Sequence, residues 1–349
     1  MTAPCLDDRR KEVLRSLVEL HVETGEPVGS ENLARALNRS VSPATLRNIM
    51  ADLEALGYLD HPHTSAGRMP TDGGYRFYVD SLMGRPRPLA PEDAAAIQSG
   101  LRRPEASASQ VLENASRLLS KLSQHVGFVV LPEIDQTSFK HIDLVRLAPP
   151  RILVVMVSRT GMVTNKVVEI EGTLTQEQLQ ACGNYLNTEF AGMSLAAVRT
   201  RLLELMREDK SLYDSLLKNV IALGNRAFAA EGDEANVYLG GTANILAQPE
   251  FEDLERMRAL FRTFEEKSRL VKILNACISG DGLRILIGHE NPAPDLQDLS
   301  LVAARYPVEG EANWALGVLG STRMEYAHVV SLVDHVARSV SQVLRELRS

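Results

Sequence analysis

At 349 residues the chain is too long for one ordinary core, so two or three domains are expected. An apolar fraction of 44% with 24% charged residues fits packed, soluble domains, and no run approaches the ~18 apolar residues of a membrane span. The formal net charge of −7 argues against a protein that coats nucleic acid, which would show a basic stripe.

The charged stretch from Met1 to Lys11 lacks the apolar core of a signal peptide. Cys5, Cys182 and Cys277 are isolated and show no C-x-x-C spacing, so they read as cytosolic thiols rather than metal ligands. A cytoplasmic location is expected. Val13, Leu14, Leu17 and Val18 form the apolar stripe of a first helix, stopped by the turn Thr24-Gly25-Glu26-Pro27. Ser30 is expected to cap a second helix that buries Leu33, Ala34 and Leu37. Ser42 and Pro43 open a third, with Leu46, Ile49, Leu53 and Leu56 as its buried stripe. Gly57 ends that helix, Tyr58-Leu59 starts a strand, and residues 61–68 form a polar hairpin. Met69-Pro70 leads back before Thr71 caps a further short helix. Three helices, a strand, a wing and a strand make a winged helix-turn-helix over residues 1–83.

The third helix carries Ser42, Ala44, Thr45, Arg47 and Asn48 on its polar N-terminal face. Small residues allow close approach to base edges, and Arg or Asn can form the bidentate bonds that distinguish base pairs in the major groove. In the wing, His63, Thr64, Ser65, Gly67 and Arg68 are expected at the flanking backbone or minor groove, with Gly67 supplying a positive φ. Thr71 and Arg76 complete the expected DNA-binding set, Arg76 as a backbone clamp. Residues 1–85 hold 10 Lys/Arg against 12 Asp/Glu, so non-specific binding should be weak. Useful affinity then calls for two such modules on a repeated site.

Residues 84–105 read as a proline-rich linker. A helix bearing Val111, Leu112, Ala115, Leu118, Leu119 and Leu122 follows. Four apolar, β-branched runs between Val126 and Ile170 then predict a mostly antiparallel sheet. The period turns helical from Thr175 to about Lys272, with only Val237-Tyr238-Leu239 strand-like, before strands return at 283–287, 299–306 and 314–319. A sheet that stops and resumes reads as a second domain, 106–172 and 278–349, interrupted by a mainly helical insertion at 173–277. Leu202, Leu203, Leu205 and Met206 make the apolar surface of the insertion unusually wide and are the expected dimerisation residues. His289-Glu290-Asn291 and Gly240-Gly241-Thr242 lack the partners of a metal site or a phosphate loop and read as structural turns. No catalytic, cofactor or metal site is expected, and the chain is read as a non-enzyme.

The runs Glu23–Ser30, Ser42–Asn48 and His63–Thr71, the last continued by Gly74–Tyr78, resemble the heat-inducible transcription repressor HrcA family. Leu239–Asn244, Ile287–Asn291 and Gly320–Tyr326 also look like blocks of that family, in family order. Ile49 stands where the family usually has an acidic residue, and Ser321 where it usually has proline. The resemblance implies an α+β multidomain chain: a winged helix, then a GAF-like α/β sheet domain interrupted by an inserted dimerising domain. It further implies a homodimeric repressor of chaperone operons on an inverted-repeat CIRCE-type operator, controlled by the GroEL chaperonin. Two other readings stand beside it: a metabolite-responsive regulator with a small-molecule site in the sheet domain, and a winged-helix module that binds protein only.

Overall fold

The computed structural model describes residues 6–61, 67–84, 88–102, 107–131, 138–159, 161–170, 174–207, 219–220, 223–224, 226–227, 237–247, 254–278, 282–306 and 314–347. Helix α1 (Asp8–Thr24) starts where the Asp7 carboxylate accepts the Arg10 N–H at 2.7 Å, and it stops at Gly25, whose φ is +74°. Helix α2 (Ser30–Ala36) is capped by Gly29 without a side-chain bond, so Ser30 is its first residue rather than its cap. Asn38 and Arg39, both left-handed, make the turn into α3 (Pro43–Ala55). The buried stripe of α3 is Leu46, Met50 and Leu53. Ile49 is only half-buried, and Leu56, just past the last turn, is 43% exposed. Both corrections follow from the helical period, which carries positions 46, 50 and 53 to one side.

Strands β1 (Leu59–Asp60) and β2 (Met69–Pro70) pair antiparallel at the base of the wing. Helix α4 (Asp72–Phe77) follows, its Thr71 cap accepting the Gly74 N–H at 3.1 Å, and runs on through a π turn at Tyr78–Leu82. Residues 84–105 are not all linker. Pro91–Leu101 forms α5, with proline in its first turn and Glu92 and Asp93 at its positive end. Ile97 and Leu101 of α5 are buried against α6 (Ala108–Ser123) and α11 (Tyr326–Glu346).

The apolar runs between 126 and 170 do not build one sheet. Strand β3 (Val126–Val130) joins a five-stranded antiparallel sheet in the order β7-β3-β10-β9-β8. Its other strands are β7 (Val237–Gly240), β8 (Gly282–Ile287), β9 (Leu299–Tyr306) and β10 (Trp314–Ser321). Helices α5, α6 and α11 cover one face of this sheet. Helices α9 (Leu254–Glu265) and α10 (Lys267–Cys277) cover the other. Every residue of β3 and β10 is buried, as a sheet covered on both faces requires.

Strands β4 (Phe139–Arg146), β5 (Arg151–Ser158) and β6 (Val163–Glu169) form their own sheet, packed on α7 (Gln176–Phe190) and α8 (Leu195–Arg207). The Asn187 side chain brackets Ile142, accepting its N–H at 2.8 Å and donating to its carbonyl at 3.0 Å. Gln176 does the same between Arg146 N–H and Leu144 O, so α7 satisfies the free edge of β4. The boundary expected at 172/173 therefore runs through one core. Residues 237–247 and 254–277 belong with the five-stranded sheet, because Leu260, Phe264, Leu270 and Leu274 pack on Phe128 and Leu301.

Candidate nucleic-acid interface

The N-terminal end of α3 is built to present polar side chains outward. The Ser42 hydroxyl accepts the Thr45 N–H at 3.1 Å and shares a hydrogen bond with the Thr45 hydroxyl at 2.9 Å. Leu46, Met50 and Leu53 press the opposite side into the core. Ser42, Ala44, Thr45, Arg47 and Asn48 are all exposed, so five expected site residues come together on one face. Arg47 donates from Nε to the Ser30 hydroxyl at 3.2 Å, which orients the guanidinium while leaving its terminal amino groups free of carboxylates among the described residues. Arg39, exposed on the turn beside it, also has no carboxylate partner among the described residues.

The wing differs from expectation. His63, Thr64 and Ser65 lie outside the described residues. Gly67 does not have a positive φ; its glycine is required by close approach instead. A Cβ there would sit 2.4 Å from the carbonyl carbon of Val28 and 2.7 Å from that of Pro27. The neighbouring Arg68 exchanges both backbone bonds with Val28, N–H to O at 2.9 and 3.0 Å, so the wing base is stitched to the entry of α2. Gly67→Ala should break this stitch, lower the stability of the winged helix by about 1–3 kcal/mol and weaken DNA binding with it. Urea unfolding followed by circular dichroism reads the first effect.

Arg68 does not reach outward. Its Nε donates to Glu54 Oε2 at 2.7 Å, tying the wing to the last turn of α3. His61 Nδ1 lies 2.6 Å from the other oxygen of the same carboxylate. The hydrogen bond from Arg68 holds the Glu54 carboxyl below its ordinary value, with His61 acting in the same direction. Thr71 spends its hydroxyl on the α4 cap and on the Gly57 carbonyl, to which it donates at 2.7 Å. Arg76 is displaced furthest from its expected role. Its guanidinium grips Glu290 of the sheet domain and donates to the Ile285 carbonyl at 2.8 Å, and Asp80 lies 3.1 Å away. Glu290 is the main reason its charge is held above the ordinary arginine range. Arg68, Thr71 and Arg76 thus each make contacts within the protein that shape or seat the head, Arg68 through its Nε alone.

Leu202, an expected dimerisation residue, is fully buried in the core of its own unit with Leu186, Val198 and Val220. The side chains of Leu203, Leu205 and Met206 lie outside the described residues. The outer face of the β4-β5-β6 sheet is what remains apolar and open: Val145, Leu147, Val163 and Val167 are 42%, 37%, 60% and 50% exposed. Register places Val145, Leu153 and Val167 in one row and His141, Val157 and Val163 in another.

Elsewhere the polar motifs are structural. Gly241, with φ +70°, lies against the Ser120 hydroxyl in the turn after β7. Burial pushes the Cys182 thiol up to about 11 and also raises Cys277, which suits inert core thiols. No group of three or more His, Cys, Asp or Glu residues is poised for a metal among the described residues, and no described helix is long and apolar enough to cross a membrane.

Residues 5–80 match the family model described as the winged helix-turn-helix transcription repressor, HrcA DNA-binding. Residues 109–330 match that of the HrcA protein C-terminal domain. The heat-inducible transcription repressor HrcA of Geobacter sulfurreducens is 41% identical over 339 residues, covering 97% of this chain and 98% of that protein. Its counterpart in Syntrophobacter fumaroxidans is 37% identical, covering 98% of each. A crystal structure described as that of a hypothetical protein at 2.2 Å resolution superposes with a TM-score of 0.68 at 23% identity. It covers 99% of this chain and 100% of that one, a likeness of fold.

Proposed function

The chain belongs to the HrcA family of heat-inducible transcription repressors and carries its winged-helix DNA-binding domain, and from that premise we propose that it represses chaperone operons by binding a CIRCE-type inverted repeat as a homodimer. The observation that carries this reading is the exposed face of α3, where Ala44, Thr45, Arg47 and Asn48 stand clear of the core at the end of a capped helix. Laid in the major groove, that face meets base edges with a guanidinium and a carboxamide, the two side-chain groups best suited to bidentate readout. With 10 Lys/Arg against 12 Asp/Glu in residues 1–85, the head has low non-specific affinity, so pairing of two heads supplies the avidity.

We assign the pairing to the β4–α8 unit, taken as the inserted dimerising domain, and the five-stranded sheet with its helices to the GAF-like domain. The exposed aliphatic residues of β4-β5-β6, flanked by Asp143 and Asn165, support the first assignment, since apolar side chains with a polar surround are what a self-complementary interface covers. A GroEL-type chaperonin would set the level of active repressor: when heat diverts it to unfolded clients, active repressor falls and the operons are expressed. The test is a mobility shift with a CIRCE-like duplex against scrambled DNA at fixed salt, with and without chaperonin. Selective retardation that chaperonin increases is expected. Equal retardation of both duplexes overturns the operator reading, and indifference to chaperonin overturns the control.

A second reading has one observation in its favour. A cavity of about 690 Å³ lies between α1 and the sheet domain, lined among others by Glu19, Glu23, Tyr78, His125, Arg323 and Tyr326. A small molecule there would make the repressor metabolite-responsive, and operator affinity would then change with that ligand in the absence of chaperonin.

A further inference from the structure

We propose that Asp72, Arg76, His289 and Glu290 form a clasp that fixes the angle between the winged helix and the sheet domain, and so sets which spacing of operator half-sites the repressor accepts. These are positioning residues. They act on DNA only through α3, and the inference rests on the dimeric, inverted-repeat reading above.

The wing's return strand β2 leads directly into α4, so the residues that open α4 are rigidly linked to the reading head. Asp72, the first residue of α4, accepts the backbone N–H of His289 at 2.9 Å and pairs with His289 Nδ1 at 2.8 Å. Its carboxylate lies directly on the backbone of Gly288: a Cβ at Gly288 would fall 2.1 Å from Asp72 Oδ2, and its φ is +52°. One helical turn on, Arg76 closes a fork on Glu290, Nε to Oε1 at 2.7 Å and Nη2 to Oε2. Glu290 Oε2 also accepts the Ile287 N–H at 2.9 Å, which fixes the receiving carboxylate in turn. The Arg76 and Glu290 side chains are 28% and 33% exposed, enough burial to shield the pair from solvent screening.

Two features separate this from ordinary domain packing. Beneath the clasp, the contact is apolar, with Tyr75 and Tyr326 ring centroids 6.0 Å apart. Such contact is non-directional and tolerates sliding, whereas a planar guanidinium–carboxylate fork fixes orientation. The two links also have opposite polarity: the head offers an acid to His289 and a base to Glu290. Exchanging the partners would set the Asp72 and Glu290 carboxylates together, so only one register satisfies both. On the far side of the head, Arg323 donates to the Val22 carbonyl at 3.1 Å, and its guanidinium packs against Gly25 at the end of α1. The head is therefore held by polar contacts at a second place besides the clasp, which further limits its movement on the sheet domain.

The experiment measures affinity of the full-length protein for inverted-repeat duplexes whose centre is lengthened one base pair at a time, alongside a duplex with a single half-site. Wild type is compared with Glu290→Gln, a near-isosteric change that discharges the fork, and with Asp72→Asn, which weakens the second link independently. Hydrogen exchange of residues 72–82 and 285–291 without DNA checks that the clasp has loosened. The expected result is an unchanged single-site affinity with faster exchange, while the preference for the best spacing over the worst shrinks by about tenfold. Equal loss on every duplex, including the single site, would reduce the clasp to a stability element and overturn the proposal. A wild-type spacing optimum that both variants retain overturns the clasp alone; no optimum in wild type overturns the operator reading as well.

Discussion

Replacing Arg47 with alanine should lower affinity for the inverted-repeat operator by roughly 5- to 150-fold, the equivalent of about 1–3 kcal/mol per base-reading contact. The estimate follows from where the side chain sits. Arg47 is exposed on the second turn of α3, beyond the Ser42 cap, and its Nε is held by the Ser30 hydroxyl at 3.2 Å. That bond orients the guanidinium plane before DNA arrives, which reduces the ordering cost of a bidentate contact. A base-reading arginine gives a loss confined to one operator position: the variant tolerates a substitution there that wild type rejects. A phosphate contact gives a uniform loss and a shallower salt dependence. Fluorescence anisotropy against single-base operator variants at two salt concentrations separates the two. Asn48→Ala should produce a loss of similar size at a different position.

Asn291→Ala should destabilise the sheet domain by about 2–4 kcal/mol, because it strips a buried turn of its internal donor. Asn291 is fully buried, and the two hydrogens of its amide are shared among Gly288 O at 3.0 Å, Leu296 O at 3.1 Å and Leu299 O at 2.6 Å. Alanine leaves those three carbonyls without that partner and opens a cavity beside Leu296, which is also fully buried. The variant Asn291→Asp should be at least as damaging, since a carboxylate facing three carbonyl oxygens cannot donate. Differential scanning calorimetry would show a lowered transition for both. Because the 288–290 turn receives Asp72 and Arg76, looser docking of the head should accompany the lower transition.

The winged helix was legible in the sequence because its signals are local. Ser42-Pro43 opens α3, Gly25 and Gly57 end helices with positive φ, and Thr71 caps α4, each within four residues of the effect it produces. What escaped detection depended on distant partners. Nothing near Arg76 announces Glu290, which lies 214 residues away, so the sequence alone shows only a cation beside the wing. The contact of Arg68 is hidden for a related reason, its Glu54 partner lying 14 residues back on α3. Alternating apolar residues identified β3 through β6 as strands, yet alternation says nothing about which strand is the neighbour, and β3 pairs with β7 and β10 rather than with β4. In α5 the alanine-rich run after Pro91 was masked by the prolines before it, although Ile97 and Leu101 mark its buried side. Leu202 looked like interface because a wide apolar stripe does not reveal whether its cover comes from the same chain.

One apolar mass runs from Val13 and Leu17 of α1 through Tyr75, Tyr78 and Leu82 to Met324 and to Tyr326 and Val329 of α11, while the β4–α8 unit keeps a separate interior. The reader of DNA is thus no bead on a string: it shares its floor with the body that carries it. A change in how α11 packs therefore reaches the underside of the head without passing through any linker.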